Sequence, residues 1–291
     1  MTMGGAPGPL VSVEWLVANL DQPGLHVIHV ASGREEYDEG HIPVAIFSDL
    51  HVDLAKSGRP DATGGVPRRY MMPTRSDMEA SLASWGIAPG DRIVFYDGAG
   101  QNRFSSRGYW LLRLYRFPGD RVHVLDGGVK AWAAAGLLLT TEPVNPTPVD
   151  VAEKLGDQDS AYVATADDVL ALSREAAGGG PTRLLDVRTI DEYLGTDVRA
   201  RRGGHVPGAK HRLFSDFVAP DGRIRTAAQT IEILNASGVD AAQVRATYCQ
   251  GGVRAALAWF ALHEVAGLSD VRNYGESWEE WGNRPELPAE E

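Results

Sequence analysis

A single cysteine, Cys249, stands in the 291-residue chain, so no intramolecular disulfide can form and a disulfide-stapled secreted scaffold is excluded. Long apolar runs are missing too. None approaches the roughly 18 residues that mark a membrane-spanning helix. The opening MTMGGAPGPLVS lacks the basic and apolar regions of a secretory leader. The cytoplasm is the expected location. Positive charge is in deficit: 28 Lys and Arg against 39 Asp and Glu leave a net charge of −11. That balance argues against binding nucleic acid or an anionic membrane over a broad surface. No His/Cys cluster sits at metal-ligand spacing, so no metal is expected, and no glycine-rich phosphate fingerprint of the nucleotide-binding kind is present.

What the sequence does contain, it contains twice. LHVIHVASGREEYDEGHIPVAIF (25–47) is echoed by RLLDVRTIDEYLGTDVRARRGGHVPGAKH (183–211), each an apolar run, an Arg, a Glu-Tyr pair and a Gly-His-apolar-Pro element. APGDRIVFYDGAGQNRFSSRGYWLLRLY (88–115) parallels VDAAQVRATYCQGGVRAALAWFALHE (239–264), and RVHVLDGGVKAW (121–132) parallels VRNYGESWEEW (271–281). His205 lies 164 residues after His41, Cys249 lies 152 after Asp97, and Trp281 lies 149 after Trp132, so the copies differ in their insertions. The first holds an extra GGVPRRYMMP stretch and the second an extra GTDVRARRG. Prolines at 143, 146 and 148 stiffen the connector. The expected organisation is an N-terminal domain over 10–140, a Pro-rich linker over 141–160 and a C-terminal domain over 161–291. Short β-branched runs alternate with helical patterns in each copy, which predicts an α/β fold with parallel sheets flanked by helices. A capping box from Ser76 to Glu79 is expected to open one of those helices.

Cys249 sits where the strand VRATY gives way to the helix VRAALAWFALHE. In a parallel α/β sheet, ligands collect at the carboxyl ends of strands. Gly251 and Gly252 permit a tight turn in which amides converge at a helix N-terminus, a setting that favours an anion. Thiols at helix N-termini have pKa values lowered from about 8.5 to roughly 3.5–7.5. The expectation is therefore a thiolate in a cradle of main-chain donors, formed by Gln250, Gly251, Gly252, Val253 and Arg254. A buried, inert thiol would need none of this punctuation.

EEYDEGHIPVA, LLDVRTIDEYLG, GGHVPGA, the CQGGVR loop and the closing YGESWEEW make the chain resemble a tandem-domain rhodanese, over about Ser12 to Pro285. The resemblance implies two tandem rhodanese-like domains and a thiosulfate or 3-mercaptopyruvate sulfurtransferase without cofactors. In such a cycle Cys249 takes the outer sulfur of a small donor as a persulfide, and cyanide or a thiol, with a thiol-bearing protein as a further acceptor, removes it. Asp97 occupies the position of the cysteine in the first copy, and a carboxylate cannot form a persulfide, so the resemblance implies that the first copy is catalytically silent. Asp186 and Arg188, of the Asp-x-Arg motif, are expected to buttress the loop. His41 and His205 read as turn-stabilising residues, and the tryptophans at 132, 259, 278 and 281 as core.

The loop departs from the family in places. Gln250 to Arg254 match neither the Arg-Lys-Gly-Val-Thr common after the cysteine in thiosulfate enzymes nor the Gly-Ser or Gly-Thr start of mercaptopyruvate enzymes. Glu192 stands where two-domain members usually carry an arginine. Arg254, Arg188 and the cluster Arg199, Arg201 and Arg202 are the candidates for receiving a dianionic donor, which makes thiosulfate the first expectation and 3-mercaptopyruvate the second. Two rival functions use the same loop physics. A sulfur carrier or sensor would load Cys249 once and discharge to a protein partner. A cysteine phosphatase needs Cys-x5-Arg, whereas Arg254 gives Cys-x4-Arg, a ring one residue too small for phosphate.

Overall fold

The computed structural model describes residues 7–58, 66–98, 101–150 and 152–291. The first six residues of the leader comparison, Gly64 and Gly65 of the GGVPRRYMMP stretch, and Ala99 and Gly100 of the first copy's turn lie outside the described residues. The β-branched runs become strands: β1 Leu10–Val11, β2 Leu25–Ala31, β3 Ile46–Asp49, β4 Arg92–Asp97, β5 Val122–Leu125, β6 Leu184–Asp186, β7 Lys210–His211, β8 Ala246–Tyr248 and β9 Arg272–Asn273.

Contacts divide the chain into two units. The first comprises residues up to Leu54, Pro73–Asp159 and Val218–Ile224. Its sheet has the order β1-β5-β4-β2-β3, parallel throughout. Buried on both faces, its central strands read as nearly unbroken apolar runs. Successive side chains of β4 alternate between faces. Val94 and Tyr96 join a core with Leu16, Leu125 and Trp132, while Phe95 meets Trp85 edge-on at 6.0 Å. Asn102 Nδ2 donates to Gly222 O at 2.7 Å, which ties the 218–224 strand of chain into this unit.

The second unit comprises Ala55–Met72, Ser160–Phe217 and Arg225–Glu291. Its sheet runs β7-β6-β8-β9, again parallel, and Val163 adds a parallel bridge to Asn273. Position for position this is the order of the first sheet, so the repeat in sequence is a repeat in topology. Tyr248, Tyr274, Trp278 and Trp281 pack in one core cluster with Val169 and Leu184. Trp259 is buried in the helix Val253–Trp259, which continues as a wider π-helical turn over Phe260–Val265.

Four helices open with a Thr-x-x-acid or Thr-x-x-Gln capping box, at Thr74, Thr165, Thr189 and Thr226. The first corrects the expected Ser76–Glu79 box. The sequence PTRSDME offers overlapping signatures, and Thr74 with Asp77 wins because the helix Arg75–Ser84 starts directly after Thr74, which is extended. Ser76 only bonds the Thr74 hydroxyl, and Glu79 accepts the Leu155 N–H.

Candidate active site

β8 delivers Cys249 to the carboxyl edge of the second sheet, and the main chain on both sides of the thiol is pinned. The Cys249 N–H donates to Ser277 Oγ at 3.1 Å, and Ser277 Oγ–H donates to Tyr274 O at 2.7 Å. The Cys249 carbonyl accepts the Trp278 N–H at 3.0 Å, and the Gln250 carbonyl accepts the Glu279 N–H at 2.8 Å. Gln250 Nε2 donates to Arg199 O at 3.1 Å. Gly252 then turns at φ +77°, where a Cβ would stand 2.2 Å from Gly275 O, so only glycine fits. Its N–H points at Cys249 Sγ, 3.1 Å away. Gly252 also caps the helix beginning at Val253. Several amides were expected on the sulfur. Among the described residues Gly252 is the one that reaches it, because the Cys249 N–H is turned away to Ser277. Cys249 itself is 1% exposed.

Arg254 and Arg199 are engaged by acids. Arg254 makes a two-pronged contact with Glu192, Nη1 to Oε2 at 2.6 Å and Nη2 to Oε1 at 2.8 Å. Glu192 is 0% exposed and doubles as the acid of the Thr189 capping box. Burial would raise its carboxyl pKa, but the hydrogen bonds and charge of Arg254 outweigh that and hold it at about 2. Burial likewise works against the Arg254 charge, and Glu192 and Cys249 overcome it, raising Arg254 above the ordinary guanidinium range. Arg199 is bonded to Asp197 at 2.5 and 2.8 Å and stands 3.6 Å from Glu192. Arg202 Nη2 donates to Trp281 O and Arg284 O, and the Arg201 N–H donates to Asn283 Oδ1. The side chains of Arg199 and Arg202 are thus drawn into structural contacts, while Arg201 is exposed.

Arg188 and Asp186 form a buried pair, with Arg188 Nη2 2.6 Å from Asp186 Oδ2 and the Arg188 N–H and Nε–H also donating to the carboxylate. Arg188 further donates to Gly204 O at 2.7 Å and lies over the Trp278 ring at 4.6 Å. Trp278 holds the Cys249 carbonyl, so the pair stands behind the loop rather than in contact with the sulfur.

Sequence reasoning missed two contributors. The Ala55–Met72 segment, distant in sequence, belongs to this unit: the Arg69 and Tyr70 amides both donate to Glu279 Oε2 at 3.0 Å, and Arg68 pairs with Glu276. Tyr70 lies on the loop, its Cβ 2.3 Å from where a Cβ on Gly251 would be. Ser277 is the other. Its φ is +51°, matching Gly128 at +52°, which holds the corresponding place 149 residues earlier. A non-glycine residue where the first copy needs glycine is a signal of strain kept at a working position, and aligning the copies exposes it.

In the first unit Asp97 is the last residue of β4, where Cys249 directly follows the last residue of β8. Its carboxylate accepts the N–H groups of Asn102 at 3.1 Å, Phe104 at 3.0 Å and Ser105 at 3.4 Å. Burial raises the Asp97 pKa and these amides only partly offset it. His41 stacks on Tyr37 and His205 on Tyr193, each ring pair at 3.7 Å, and each Nδ1 bonds the carbonyl of its own stacking tyrosine. These histidines hold turns.

The rhodanese-like domain family matches residues 12–135 and again 166–284. A thiosulfate sulfurtransferase from Corynebacterium glutamicum is 34% identical, covering 98% of this chain and 91% of its own. The solved structure of SseA from Escherichia coli, a 3-mercaptopyruvate sulfurtransferase, superposes with a TM-score of 0.74 at 26% identity, covering 94% of this chain and 99% of SseA. The anaerobic ergothioneine biosynthesis enzyme of Chlorobium limicola shares the fold, with a TM-score of 0.78 at 23% identity over 97% of this chain and 70% of that enzyme. No helix among the described residues is long and apolar enough to cross a membrane.

Proposed function

The chain belongs to the rhodanese-like family, and from that premise we propose that it is a sulfurtransferase working through a persulfide on Cys249. The observation that carries this reading is the Gly252 N–H aimed at Sγ from the mouth of a helix, in a loop whose backbone is fixed on both sides of the thiol. In the first half-reaction the Cys249 thiolate attacks the outer sulfur of thiosulfate. A new S–S bond forms, the donor S–S bond breaks, and its electron pair leaves with sulfite. With 3-mercaptopyruvate the C–S bond breaks instead, and the carbon takes a proton to give pyruvate. In the second half-reaction cyanide or a thiol bonds to the terminal sulfur and returns the electron pair to Cys249.

The terminal sulfur of a persulfide stands about 2.05 Å beyond Sγ. The first-turn amides of the helix starting at Val253 have no intrahelical acceptor, so they are available to that charge. The near-complete burial of Cys249 suits small donors and acceptors better than discharge to a protein thiol. Asp97, with a carboxylate already satisfying the amides of its own turn, supports a silent first copy.

The test is steady-state formation of thiocyanate from cyanide with each donor. Repeated turnover that vanishes in Cys249→Ser is the expected result. Retained turnover in Cys249→Ser would end the proposal, and loading without turnover would favour a carrier.

A further inference from the structure

We infer that Glu192 is a specificity-determining residue: by holding Arg254 in a two-pronged contact it biases the Cys249 site toward sulfur donors of low charge. The inference rests on Cys249 being the sulfur-accepting nucleophile. Arg254 is the second residue of the helix that Gly252 opens, and the Gly252 N–H contacts the sulfur, so its charge is the fixed cation next to the reacting loop. The Cys249 charge is among those acting on the Arg254 guanidinium. Left alone, that cation would favour a dianion over a monoanion, since Coulomb attraction scales with the charge of the donor. Glu192 removes most of this discrimination. Its two oxygens face Arg254 at 2.6 and 2.8 Å, so at the distance of a bound donor the pair acts as a dipole instead of a point charge.

Glu192 is also in no position to yield. It accepts from the Thr189 N–H at 3.1 Å and the Thr189 hydroxyl at 3.0 Å, and a second cation, Arg199, stands 3.6 Å away. An incoming anion cannot displace it without breaking a helix cap. Two other carboxylates of this region follow the same pattern, Asp186 on Arg188 and Asp197 on Arg199. Each cation near the loop in these three pairs therefore meets a donor already matched.

Two donors with the same sulfur–sulfur linkage isolate the charge. Thiosulfate is a dianion that releases sulfite, and methanethiosulfonate is a monoanion that releases methanesulfinate. In both, Cys249 bonds to the outer sulfur and the electron pair of the broken S–S bond leaves with the oxidised sulfur. The readout is the ratio of kcat/KM for thiosulfate to that for methanethiosulfonate, with cyanide as acceptor. Glu192→Gln keeps the shape and the capping role, because Gln serves at that helix position as Glu does. It should raise the ratio by about tenfold or more, since a unit charge is restored toward a dianion. Arg254→Gln removes one positive charge beside the loop and leaves the Glu192 carboxylate to the longer contact with Arg199 at 3.6 Å, so it should lower the ratio severalfold. This second variant keeps the test decisive should the first fold poorly. A ratio that stays put in either folded variant, or moves the other way, overturns the role of Glu192 while leaving the Cys249 reading intact. No sulfur transfer to Cys249 from either donor in the wild-type protein would overturn both.

Discussion

Replacing Arg188 with Met is the sharpest structural perturbation available behind the loop. Met matches the length of the arginine stem, so shape is largely kept while the charge goes. Three side-chain hydrogen bonds to Asp186 and one to Gly204 O disappear, and a carboxylate that is 0% exposed is left without its counter-ion. Breaking a buried pair by removing one partner costs about 3–5 kcal/mol. The support under Trp278, which holds the Cys249 carbonyl, goes too, so sulfur loading should slow together with the loss of stability. The double variant Asp186→Asn with Arg188→Met removes the orphaned charge, and its cost should fall to about 2 kcal/mol or less by the same reasoning. Urea denaturation of both single variants, the double and the wild type closes the cycle. A cost below about 1 kcal/mol for Arg188→Met, or a double variant that costs the sum of the singles, would refute the buttress.

Two further predictions concern the turn and the first unit. Gly252→Ala must adopt a left-handed conformation and bring its Cβ against the Gly275 carbonyl, so it should cost at least about 2 kcal/mol in urea denaturation and abolish sulfur loading. Burial, aided by the charge of His41, lowers the His29 pKa from 6.5 to about 4. The unfolded chain takes up that proton below pH 6.5 while the folded chain holds His29 neutral until about 4, so this contribution is full above pH 6.5 and is lost as pH falls across that window. The unfolding free energy from urea denaturation should therefore drop from neutral pH toward pH 4 by an amount on the order of 3 kcal/mol, and His29→Gln should flatten the slope.

Local and repeated features were readable in the sequence. The β-branched runs, the paired Gly-His-apolar-Pro elements and the shift from strand to glycines to helix at Cys249 each depend on residues close together in the chain, and each appears in the structure. Trp259, Trp278 and Trp281 are buried as their patterns required. Contacts that join distant segments were not readable. Nothing local to GVPRRYMMP tells that its amides end on Glu279, more than 200 residues away, or that Tyr70 covers Gly251. The Glu192–Arg254 contact spans 62 residues, and without it both charges read as free. The Ser76–Glu79 box failed for a smaller reason, since two overlapping signatures competed and chain geometry chose Thr74.

Intact mass spectrometry after incubation with thiosulfate tests the central claim most directly. The account predicts that the wild-type protein becomes heavier by one sulfur atom, that cyanide reverses the gain, and that Cys249→Ser never shows it. A sulfur adduct that persists in Cys249→Ser, or a wild-type protein that never gains one from any donor, would contradict it.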